Sequence, residues 1–98
     1  MQKASDCKSL PEVRKAIDEL DQEIIKLIGQ RHNFVQKASE FKFSEQHVKA
    51  PERFASMLEK RKVWAKEQNL NPEVVANLFK DLVNYFINEE LKTWNQQK

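Results

Sequence analysis

The sequence is poor in residues that make turns and cross-links. Its 98 residues include one glycine, three prolines and one cysteine. A sheet-rich fold needs many tight turns, so a single glycine argues against an all-β architecture. Alternating strand-like runs are also missing. Gly29 stands alone, which excludes a glycine-rich phosphate loop. The lone Cys7 cannot close an internal disulfide and predicts a reducing compartment. No apolar run is long enough to span a bilayer, and no signal-peptide stretch opens the chain. These absences predict a cytoplasmic protein that does not contact membranes. The net charge of +2 arises from 17 basic and 15 acidic residues that are interleaved. Nucleic-acid binding, which needs a dense basic stripe, is therefore not expected. His32 and His47 lack ligand partners at metal-site spacing, so both read as surface residues and no metal is expected. With no repeat or linker, residues 1–98 read as one domain.

What the sequence does have is helix formers at helical spacing. Ser9-Leu10-Pro11-Glu12 reads as a capping box with proline in the first turn. Leu10, Val13, Ile17, Leu20, Ile24 and Leu27 follow at alternating steps of three and four, and the apolar face continues, past Arg31, through Phe34, Val35, Ala38 and Phe41. About thirty residues at 1.5 Å each make a helix of roughly 45 Å. A compact domain of this size has a radius of gyration of only about 13 Å. A second copy of the chain is the economical cover for such a helix. Phe43 to Lys49 reads as a polar loop. A second helix starts near Pro51 and ends around Asn69, with Phe54, Met57, Leu58, Trp64 and Ala65 as its apolar positions. Asn71-Pro72-Glu73 opens a third, carrying Val74, Val75, Leu78, Phe79, Leu82, Val83, Phe86, Ile87, Leu91 and Trp94. The expected fold is all-α, long–short–long, in an intertwined helical homodimer.

Polar residues at apolar positions are the functional candidates. Arg31 falls on the seam of the first helix, either as a structural ion pair or snorkelling side chain, or as part of an enclosed anion site. Glu90 shares a face with Phe79, Val83, Phe86 and Trp94. It can form a salt bridge to a buried arginine or, when protonated, donate a hydrogen bond to a substrate oxygen. Arg14, taken alone, reads as a surface arginine with Asp18 as its partner one turn on. Lys42 and Arg53 read alone as solvated side chains.

Taken together these residues resemble a known family. Asp6-Cys7, Leu10, Arg14 with Ala16-Ile17-Asp18 and Asp21, Arg31, Ala38-Ser39 with Phe41-Lys42, and Ala50-Pro51-Glu52-Arg53 carry the resemblance. It continues through Met57-Leu58, Arg61, Trp64-Ala65, Leu78-Phe79, Ile87, Glu89, Lys92 and Trp94. The chain is similar, nearly end to end, to the all-helical chorismate mutases. Within them it looks most like the bacterial isochorismate pyruvate lyases that make salicylate for siderophores. The segments around Lys42 and Pro51 favour that subgroup.

The resemblance implies an intertwined dimer with two sites and a cofactor-free, pericyclic-type conversion of isochorismate to salicylate and pyruvate. Weak chorismate mutase activity would accompany it. Arg31 and Arg14 of the partner subunit would hold the substrate carboxylates, and Lys42 would donate near the ether oxygen. Arg53 matches a further arginine of the mutase site. Ile17, Val35, Met57, Phe86 and Ile87 would line the pocket. Glu90 departs from the glutamine usual in the lyases, although some fungal mutases carry glutamate there. Two alternatives stay open: a dedicated chorismate mutase, and a helical binding module with a degenerate site.

Overall fold

The computed structural model of the protein describes residues 3–42 and 44–96. Side chains at 46, 47 and 93–96 lie outside the described set, so His47 and Trp94 are placed by backbone only. Among the described residues all regular structure is helical. A turn of 3-10 helix (Ala4–Asp6) precedes α1 (Leu10–Ser39), α2 (Glu45–Lys49), α3 (Pro51–Glu67) and α4 (Pro72–Gln96). The expected long–short–long order is carried by α1, α3 and α4. The expected loop differs, because α2 forms inside it. Five residues are too few to register a helical period. What holds α2 is tertiary packing: it lies on α4, and its Val48 is buried. No described helix is long and apolar enough to cross a membrane.

The chain divides into two compact units, Met1–Phe34 and Val35–Lys98. The first is dominated by α1. Ser9 Oγ accepts the Glu12 N–H at 3.3 Å, and Glu12 Oε2 accepts the Lys8 N–H at 2.8 Å. This is the expected capping box with the carboxylate reaching one residue beyond the cap. No α1 residue is buried. Its apolar seam stays exposed from Leu10 to Phe34, ranging from 38% at Val13 to 78% at Phe34. His32 is half-buried, which corrects its reading as a surface residue.

The second unit is built on the α3–α4 hairpin. Helix α3 ends in a Schellman motif: Leu70 N–H donates to the Ala65 carbonyl at 2.9 Å and Asn69 N–H to Lys66 at 3.0 Å. That motif needs a left-handed residue, and Asn69 adopts φ 60°. Asn71 Oδ1 then caps α4, accepting from Glu73 N–H at 2.9 Å and Val74 N–H at 3.3 Å. The core comprises Val48, Met57, Ala65, Ala76 and Phe86.

Arg61 sits at this packed face. Its guanidinium lies 4.9 Å from the Trp64 ring centroid and 5.2 Å from that of Phe79, and its Nη1 donates to the Met57 carbonyl at 3.3 Å. Trp64 is thus half exposed and acts as one plate of a cation–π contact. Val74 and Leu78, read as apolar-face positions, are also exposed. Lys62 joins Glu59 on α3 (3.3 Å) to Glu73 on α4 (3.4 Å). Its hydrogen bond to Glu59 and the two carboxylate charges raise its pKa above the usual lysine value.

Candidate active site

The site is built on Lys42, just beyond α1, and Glu90 of α4. Three tight bonds close the last turn of α1: Glu40 N–H to Lys37, Phe41 N–H to Ala38 and Lys42 N–H to Ser39, at 3.2, 3.0 and 3.3 Å. These i-to-i−3 bonds stop the helix and deliver Lys42 just beyond it. Lys42 Nζ lies 2.9 Å from Glu90 Oε2 on α4. The two side chains are only 18% and 9% exposed. Lys42 is therefore not the solvated loop lysine its local sequence suggests. Glu90 pairs with a lysine rather than with a buried arginine. A charge-assisted bond in such a setting is roughly twice as strong as a neutral one.

Glu90 stands one turn beyond Phe86, and Phe86 is buried. Met57 of α3 is buried too, and Val35, in the last turns of α1, is half-buried. The second unit thus holds a shielded ammonium–carboxylate pair, with Glu90 on α4 and Lys42 just beyond α1. Ile87 lies elsewhere. It lines an open cleft of about 470 Å³ with Phe54, Leu58, Asn84, Asn88 and Leu91, and neither Lys42 nor Glu90 is part of that wall. Arg53 is exposed on α3. Arg14, Ile17 and Arg31 belong to the first unit, where Arg14 and Ile17 are exposed and Arg31 is half-buried.

Two features of this region escape the sequence reading. Ala50, between α2 and α3, adopts φ 38° and ψ 63°, a left-handed conformation that alanine rarely takes. Nothing in the sequence marks it. Arg61 did leave a signal: like Arg31, it is a charged residue among apolar helix positions, four after Met57 and three before Trp64.

The chain matches the chorismate mutase type II family over residues 13–91. It is 40% identical over 98 residues, its whole length, to an isochorismate pyruvate lyase of Pseudomonas aeruginosa, covering 97% of that protein. It is 32% identical over 91 residues to the T-protein of Haemophilus influenzae, a match covering 90% of this chain and 22% of that protein. A chorismate mutase of Methanocaldococcus jannaschii is 30% identical over 77 residues, 78% of each chain. The family match contains every candidate residue from Arg14 to Glu90 and runs through both units. This chain belongs to the chorismate mutase type II family.

Proposed function

We propose that the protein is an isochorismate pyruvate lyase with weak chorismate mutase activity. The observation that carries this reading is the 40% identity, over the whole chain, with a protein of that name. In the reaction a hydrogen on the ring carbon next to the ether moves to the enolpyruvyl methylene as the ether C–O bond breaks. Salicylate and pyruvate result. Bond making and breaking balance within one molecule, so the proposed step calls for no nucleophile or cofactor.

The work left to the protein is positioning and charge stabilisation. Arg31, with Arg14 of the partner subunit, grips the two carboxylates, a task suited to planar guanidinium forks. Lys42 places positive charge at the ether oxygen, where negative charge grows as the bond breaks. Glu90 stands beside it, 2.9 Å from its ammonium. Val35, Met57, Phe86 and Ile17 supply the apolar lining, Ile87 faces the separate open cleft, and exposed Arg53 adds a further cation. Residues 1–98 act as one domain, completed by a second copy that covers the exposed seam of α1.

Incubation with isochorismate tests the reading. Salicylate and pyruvate should form in equal amounts. The match to an archaeal chorismate mutase favours a second reading, a dedicated mutase. Prephenate from chorismate, with no salicylate from isochorismate, would establish it instead.

A further inference from the structure

The Lys42–Glu90 pair raises the question of what Glu90 does before substrate arrives. Lysine is a flexible side chain with about 2 kcal/mol of rotamer entropy. Here it follows the end of α1, and its ammonium meets Glu90 on α4. Glu90, by contrast, is rooted in the 25-residue helix α4, one turn from buried Phe86. An ammonium has three donors, and the 2.9 Å contact with Glu90 Oε2 accounts for one.

We propose that Glu90 acts as a positioning residue: its carboxylate holds the Lys42 ammonium in place and leaves two N–H bonds aimed at the substrate. A neutral glutamic acid touching the substrate would be a different device, because its O–H would act directly. The packing also says how local the tether is. Among the described residues, the connection between α1 and α3 has two anchors on α4, the ion pair at Lys42 and the buried Val48 of α2. Charge holds one end and apolar burial holds the other. Loss of the Glu90 carboxylate therefore releases the Lys42 end alone.

Amide hydrogen exchange on the full-length, unliganded protein tests this. In E90A the Glu40, Phe41 and Lys42 amides should exchange roughly tenfold faster, the scale of one lost charge-assisted bond, while the Val48 amide stays unchanged. K42A should do the same, and K42A with E90A together should go no further than either alone. E90Q, which keeps the shape and loses the charge, should also exchange faster than the unsubstituted protein. Unchanged exchange in E90Q and E90A overturns the proposal. So does acceleration that reaches Val48 and the α3 amides equally.

A kinetic arm rests on the lyase reading. E90A should lower kcat on isochorismate about tenfold in the original background and have no effect in K42A, since a positioning residue acts through what it positions. An equal loss in both backgrounds means that Glu90 touches the substrate itself and overturns the proposal. If the unsubstituted protein does not turn over isochorismate, the lyase reading fails, and the exchange arm still decides whether Glu90 tethers Lys42.

Discussion

Lys42 shows how far a residue's surroundings can depart from its local sequence. Placed after Phe41 at the start of a polar stretch, it looks like a lysine whose removal would matter little to folding. Its partner is 48 residues away, and no helical spacing connects them. Lys42→Ala should therefore have two effects. Under the lyase reading, losing a charge-assisted bond of about 1.5–3 kcal/mol should lower kcat roughly ten- to hundredfold. The same change leaves the Glu90 carboxylate, only 9% exposed, without its cation. Stability should fall by about 1–3 kcal/mol as well, measured by urea denaturation at fixed protein concentration. An unaltered urea midpoint would mean that the pair does not form in solution. Glu90, in contrast, could be singled out beforehand, because a carboxyl on the face of Phe79, Val83 and Phe86 violates the period. Sequence shows which residue is out of place; the residue that compensates for it is set by tertiary structure.

At the scale of elements, the long helices were legible because their ends carry their own chemistry. Ser9 and Glu12 cap α1, and Asn71 caps α4, where the side-chain oxygen does what its type implies. Asn71→Ala should remove about 1 kcal/mol of stability, read as a lower urea midpoint. The connection from 40 to 50 was less legible, since α2 is held by Val48 burial and not by any repeating pattern. Ala50 is the clearest example. An L-residue pays about 1–2 kcal/mol in the left-handed region, and glycine avoids most of it while adding freedom to the unfolded chain. Ala50→Gly should therefore stabilise the protein by about 0.5–1 kcal/mol. A destabilised variant would show that residue 50 takes an ordinary right-handed or extended conformation in solution.

For the whole molecule, the decisive fact is the apolar seam of α1. Leu10, Val13, Ile17, Leu20, Ile24, Leu27 and Phe34 recur at heptad spacing and are all exposed in the single chain. A helix of 30 residues with no buried residue is marginal in water unless tertiary or quaternary packing covers it. We therefore predict a homodimer by sedimentation equilibrium, with α1 buried between the copies. Leu20→Glu combined with Ile24→Glu tests the cause rather than the state alone. Glutamate is as good a helix former as leucine, so any loss reports burial and not propensity. Each buried Leu or Ile contributes roughly 1.5–3 kcal/mol, and two-fold symmetry makes every substitution count twice. The doubly substituted protein should sediment as a monomer and lose much of its helical circular dichroism. Its turnover should disappear too, since Arg14 of the partner subunit is proposed to complete each site. A fully helical, active monomer would mean that the seam is covered within one chain and that the site needs no second copy.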